Sequence, residues 1–266
     1  MKRALRSIVC MTTILTVCLL GGSTVFSLSP ENNLFLATTP DAGSDYQDSL
    51  LFLGESTTAH LASRAVLTEG KQTKQVLTTK NKTMRLSPKI TTQTVIDPQT
   101  QEQSTIAEAV ARIKPAYLVL SFGLNGIVEF AKNPESYLKN YQKLIDVLQK
   151  SSPQTAIILQ TIYPVTNPTD DSSWNFSESS EEINRMINAL NEQLPALAAA
   201  NTGVKIADTA SVLKNESGSL RTEFCTGDGI HLSADAYKEI LSYLRTHAYH
   251  IPMPLPITPD QWRNQT

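Results

Sequence analysis

Four short apolar runs stand out along the chain, at residues 50–53, 116–122, 156–162 and 204–207. Each is brief and mostly apolar, as expected of a strand covered on both faces. Between them the apolar spacing changes to a helical period. It does so at 56–67, at 137–148 (Tyr137, Leu138, Tyr141, Leu144, Ile145, Leu148), at 181–200 (Ile183, Met186, Ile187, Leu190, Leu194, Leu197) and at 233–244, where Ser233 is the expected N-cap. Strands that alternate with helices, without hairpin spacing, imply parallel pairing through crossover helices. The pattern therefore predicts a three-layer α/β/α domain around a mostly parallel sheet over residues 49–250. Such sheets place their ligand sites beyond the carboxyl ends of the strands. Residues 76–103, rich in Thr, Lys and Gln, fit this alternation poorly and read as an insertion or hairpin at the sheet edge.

The two ends of the chain read differently. Lys2, Arg3 and Arg6 precede an apolar run at 8–20, followed by Gly21, Gly22 and Ser23. Residues 1–28 are thus expected to be an export signal. The apolar stretch reaches Leu28, just long enough to span a bilayer, so cleaved signal and uncleaved anchor both stay open. Either way the domain is expected outside the cytoplasm, secreted or at the cell surface, touching a membrane only through this segment if it is retained. Residues 29–48 are polar and carry Pro30, Pro40 and Gly43, which predicts a flexible linker. Residues 251–266 hold Pro252, Pro254, Pro256 and Pro259 and form a Pro-rich tail that cannot continue a helix.

Composition narrows the function. The 266 residues are 41% hydrophobic, ordinary for a globular domain, and the formal charge is −2 from 23 basic and 25 acidic residues. No strong positive field exists over the whole chain, so nucleic acid is not an expected partner. Cys10 and Cys18 lie in the export segment, which leaves Cys225 as a single thiol with no internal disulfide partner. Its plain reading is a small buried hydrophobe.

Three segments could carry chemistry. In Gly54-Glu55-Ser56, a buried strand ends at glycine and a serine opens the next helix. Its hydroxyl could stand at the strand tip and its N–H at the positive end of the helix, although Ser56 could equally serve as a cap. In Gly123-Leu124-Asn125, a second strand end is followed by an amide able to donate to an oxyanion, or simply by a turn residue. In Asp228-Gly229-Ile230-His231, a carboxylate precedes an imidazole by three residues in a glycine-loosened loop before a helix. There it can hold the Nδ1 proton and leave Nε2 free as a base. Taken together they offer nucleophile, base, orienter and oxyanion donor. The chain has no Gly-x-Ser-x-Gly, phosphate loop or His-Glu-x-x-His.

The order Gly-x-Ser, Gly-x-Asn, Asp-x-x-His resembles the SGNH hydrolases, also called GDSL-like esterases, over roughly residues 49–247. The resemblance implies a flavodoxin-like α/β/α fold, with Ser56 as nucleophile, His231 as base and Asp228 as its partner. It implies an oxyanion hole from the Ser56 N–H, the Asn125 side chain and a glycine N–H. Gly70 is the candidate for that last donor, being the only glycine between Ser56 and Gly123. Glu55 stands where the family usually has aspartate. No metal or organic cofactor is implied. The expected substrate is an acylated carbohydrate or small ester, most naturally an O-acetyl group on cell-wall or extracellular polysaccharide. A lipase or thioesterase on longer acyl chains, or a non-catalytic surface-binding domain on the same fold, are the alternatives. Trp174, on the loop after the third strand run, could stack on a sugar ring or merely cover the rim. His60 is expected on the helix surface or pocket wall, and His247 and His250 as solvated residues beyond the last helix.

Overall fold

The computed structural model describes residues 33–169 and 174–250, so the expected export segment at 1–28 and the expected Pro-rich tail at 251–266 lie outside the described residues. The elements run α1 Gly43–Asp48, β1 Leu50–Gly54, α2 Ser56–Ser63, β2 Val76–Leu77, β3 Thr94–Ile96, β4 Gln103–Thr105, α3 Ile106–Ile113, β5 Tyr117–Ser121, α4 Ile127–Lys132, α5 Pro134–Ser151, β6 Ala156–Gln160, α6 Ser180–Asn191, α7 Leu194–Ala200, β7 Val204–Ala207 and α8 Ala234–Thr246. Five strands form one sheet in the order β2-β1-β5-β6-β7, and every pairing in it is parallel.

Alternation along the strands divides the core in two. Leu51 and Leu53 of β1, Leu118 and Leu120 of β5, and Ile157 and Leu159 of β6 point to one face, where α3, α5, α6 and α7 cover them. Leu50 and Phe52, Val119 and Ile158 point to the other, against Leu61 of α2 and Tyr237, Ile240, Leu241 and Leu244 of α8. A period of two with both faces covered is why the strands read as short, mostly apolar runs. Truncating a side chain such as Leu53, which is fully buried, to alanine costs about 2–5 kcal/mol at such depth.

Several sequence expectations change in detail. The helix expected over 181–200 is two, α6 and α7, because Pro195 has no N–H and is tolerated only in a first helical turn. The helix expected over 56–67 ends at Ser63; Arg64 caps it and Ala65 turns left-handed (φ 55°). Ser233 is the N-cap of α8, accepting from the Ala236 N–H. The awkward segment 76–103 resolves into the two-residue edge strand β2 and the antiparallel pair β3–β4, joined by a Thr78–Ile96 bridge. Residues 33–48 are not a flexible linker. Leu34 and Leu36 pair through their backbones with Ile206, α1 follows, and Arg245 of α8 binds Asp41. Backbone pairing and an ion pair hold this stretch, and neither leaves an apolar pattern to read.

Candidate functional site

Ser56 is the first residue of α2, immediately beyond β1. The first amides of a helix have no acceptor within it, so the Ser56 N–H faces outward at the positive helix end. Gly54 is required by the close approach of its neighbours. A Cβ there would lie 2.2 Å from Thr58 Oγ1 and 2.4 Å from the Ser121 carbonyl oxygen. From the far side, the buried Tyr237 hydroxyl donates to the Thr57 carbonyl at 2.5 Å and pins the start of α2 to α8.

The loop before α8 brings the imidazole to the serine. Ser56 Oγ lies 3.3 Å from His231 Nε2, and His231 Nδ1 lies 2.5 Å from Asp228 Oδ2. Asp228 Oδ1 accepts the N–H groups of Ile230 (2.9 Å) and His231 (2.8 Å). Partial burial pushes the Asp228 carboxyl up, but these backbone donors, the imidazole N–H and its charge together hold it below the usual carboxylate range. An ionised Asp228 fixes the proton on Nδ1, leaving Nε2 to accept from the serine hydroxyl. Ser56 and His231, 175 positions apart, thus meet with Asp228 in one line of hydrogen bonds.

Asn125 follows β5, the strand paired with β1. One of its Nδ2 protons goes to the Met84 carbonyl at 3.0 Å, which orients the amide and leaves the second proton available. Its backbone N–H donates to Glu55 Oε2 and that of Gly123 to Glu55 Oε1, each at 3.0 Å. Glu55, 3% exposed, therefore ties the serine loop to the asparagine loop. Burial raises its pKa to about 7, against the pull of the Gly123, Asn125 and Leu124 N–H groups and of Arg85. From the sequence, Glu55 is marked only as standing where the family usually has aspartate. Its position between a strand-end glycine and the helix was the available signal, but its partners lie 68 and 70 residues away.

Gly70 requires a correction. Its N–H already donates to the Leu67 carbonyl at 2.9 Å in a turn where Gly70 has φ +58°. It is therefore not free to serve an oxyanion. Cys225 also departs from the expected buried hydrophobe. It is half-buried, and its sulfur accepts the N–H groups of Gly227 (3.4 Å) and Gly229 (3.2 Å) inside the loop that presents His231.

His60, one turn after Ser56, is pocket wall. Its ring packs 4.7 Å from that of His231, tilted by 49°, and its Nδ1 is buried without a partner. Burial lowers its pKa, with the His231, Arg64 and Lys82 charges acting the same way and Asp228 opposing. Trp174 is not free-standing. It packs edge-on against Phe176, donates its indole N–H to the Glu178 carbonyl and backs Gly229, whose Cβ would fall 3.0 Å from its ring. His247 stacks flat on Tyr243 at 3.9 Å and meets Thr38 through Nε2, so it packs against the domain instead of standing in solvent.

The model of the GDSL-like lipase/acylhydrolase family matches residues 52–239. Solved structures are similar in fold. A Streptococcus pneumonia protein named for platelet activating factor has TM-score 0.55 at 20% identity, covering 77% of this chain and 90% of its own. A GDSL-like lipase from Bacteroides thetaiotaomicron has TM-score 0.49 at 16% identity, over 77% of this chain and 89% of its own. A carbohydrate esterase family 3 protein from Talaromyces cellulolyticus has TM-score 0.46 at 16% identity, over 74% and 93%. No curated protein sequence matches the chain.

Proposed function

This chain belongs to the GDSL-like lipase/acylhydrolase family, and from that premise we propose that it is an exported serine esterase that removes O-acyl groups, foremost O-acetyl, from a polysaccharide. The observation that carries the reading is the Ser56–His231–Asp228 line, with its 3.3 Å and 2.5 Å contacts. Ser56 Oγ attacks the ester carbonyl as its proton passes to His231 Nε2. Asp228 supports the imidazolium through Nδ1. The oxyanion is met by the Ser56 N–H and the second Asn125 amide proton, each such donor being worth about 3 kcal/mol of barrier. His231 then protonates the leaving alcohol. Water, deprotonated by His231, releases the acid and restores Ser56.

Polysaccharide as the acylated substrate is supported by the expected export segment at residues 1–28. The test is Ser56→Ala. Hydrolysis of p-nitrophenyl acetate and labelling by a fluorophosphonate should both vanish while the circular dichroism spectrum is kept; undiminished turnover in that variant refutes the proposal. A chain-length series of p-nitrophenyl esters then reads the acyl group. A maximum at acetyl supports deacetylation, and a maximum at eight carbons or more replaces it with lipase or thioesterase action.

A further inference from the structure

Resting on that reading, we propose that the segment from Lys71 to Gln103 is a binding groove for an anionic glycan, and that it selects acidic polymers for the adjoining esterase site. The sequence here is lopsided. Residues 71–103 contain Lys71, Lys74, Lys80, Lys82, Arg85 and Lys89 against two acids near the end, Asp97, which is paired with Arg112, and Glu102, in a chain whose formal charge is −2. The structure folds this segment around two adjacent hollows. One, of about 850 Å³, is lined by Lys80, Asn81, Arg85, Gln93 and Gln103 together with threonines. The other, of about 300 Å³, shares Lys80 and adds Lys71, Lys82 and Gln101. No carboxylate lines either hollow. Arg85 is held by Glu129 on the rim. Among the described residues, Lys71, Lys80 and Lys82 have no carboxylate within 4.0 Å.

The hollows adjoin the site through direct contacts. The Met84 carbonyl accepts from Asn125 Nδ2. The Arg85 guanidinium lies against Gly126, where a Cβ would fall 2.6 Å from its Nη2. Lys82, in a left-handed turn (φ 59°), is near enough for its charge to act on His60, whose ring packs on His231. A chain held in the groove would therefore lead toward Ser56.

The lining also says what kind of polymer fits. Hydroxyls and amides offer donors and acceptors to sugar hydroxyls, and unpaired ammonium groups offer sites to carboxylate or phosphate. The lining holds no aromatic ring, so bases have nothing to stack on. The exposed large hydrophobic among the described residues, Phe35, lies beside β7 at the opposite sheet edge, so no apolar face here could enter a bilayer.

Affinity electrophoresis of the full domain, in gels containing polygalacturonate, a phosphate-bearing teichoic acid or neutral xylan, tests this without using activity. Retardation by an anionic polymer should exceed that by xylan about tenfold and fade as sodium chloride rises toward 0.5 M, where exposed charges are screened within roughly 4 Å. The first two gels separate carboxylate from phosphate as the recognised group. Combined Lys71→Gln, Lys80→Gln and Lys82→Gln should abolish the retardation. Lys143→Gln, Lys150→Gln and Lys238→Gln, which remove the same charge from α5 and α8, should not. Equal loss in both triple variants, equal retardation by xylan, or binding of anionic vesicles in place of glycans overturns the proposal. Binding with no ester turnover would refute the esterase reading alone; turnover with no binding would refute the groove alone.

Discussion

The loops that bring Ser56 and His231 within 3.3 Å of each other are held in opposite ways. The serine loop is fixed from a distance. Glu55 reaches partners 68 and 70 residues away, Gly54 is wedged against Thr58 and Ser121, and Tyr237 grips Thr57 from 180 residues off. These bonds are buried or nearly so, and those of Glu55 depend on β1 and β5 being in register. The histidine loop is fixed mostly by its own local bonds, with added ties to the segment after β6, where the Thr166 N–H donates to the Gly229 carbonyl at 2.9 Å and the Thr169 N–H to the Gly227 carbonyl at 2.8 Å. Asp228 bonds residues two and three positions on, Cys225 gathers the amides of Gly227 and Gly229, and the Thr226 N–H meets the His231 carbonyl at 2.9 Å. The nucleophile thus inherits the rigidity of the sheet. The base owes its placement to a short wrap and to its ties with the loop after β6, both outside the sheet core. Damage on the first side should register in stability and turnover together, and damage on the second in turnover alone.

Asp228→Asn gives the sharpest separation. It keeps the shape of the loop but favours the wrong imidazole tautomer, and kcat should fall about 10³–10⁴-fold. The thermal midpoint should shift little, since Asp228 is partly exposed. A large drop in the midpoint would break the contrast between the two loops.

Glu55→Gln should act on both quantities. An amide can accept only one of the two backbone donors and sets its own N–H against the other, costing about 2–3 kcal/mol of stability and disturbing Asn125. The pH dependence sharpens this. The folded pKa of Glu55 is raised to about 7 from 4.5. A group with a raised folded pKa contributes stability that is complete below the unfolded value and is lost as pH rises through the folded one. Wild-type stability should thus decline by about 3 kcal/mol between pH 4.5 and 7 relative to the Gln variant. Urea titrations at four or five pH values would reveal parallel curves if the carboxyl were not responsible.

Cys225→Ala should have the smallest effect. Two weak N–H···S contacts are lost, worth about 1 kcal/mol in total, and kcat should fall severalfold with the fold intact. A loss as deep as that of Asp228→Asn would mean the sulfur does more than shape the loop.

The same division explains what the sequence disclosed. Strands β1, β5, β6 and β7 were legible because burial on both faces leaves short, mostly apolar runs. The three polar loops were legible because each lies at a strand tip or helix start. Strand β2 was not: two residues make no pattern, and only pairing with Phe52 and Leu53 defines it. Gly70 was reached by elimination, and elimination cannot show that an N–H is already bonded to Leu67. The bridging role of Glu55 was hidden because sequence distance conceals partners on a neighbouring strand. The division at Pro195 was not legible in the apolar period, because that period runs on through it from α6 into α7.

The short stretch at 34–36 that lies along β7, with amides shared both ways with Ile206 at 2.8 Å, has a practical corollary. Together with the hairpin beside β2, it leaves the sheet without a long bare margin on which another molecule could template. Any fusion junction or protease cut in a recombinant form belongs upstream of Asn33. Shaving off just a few more residues would uncover β7 and invite fibrous self-association in concentrated preparations.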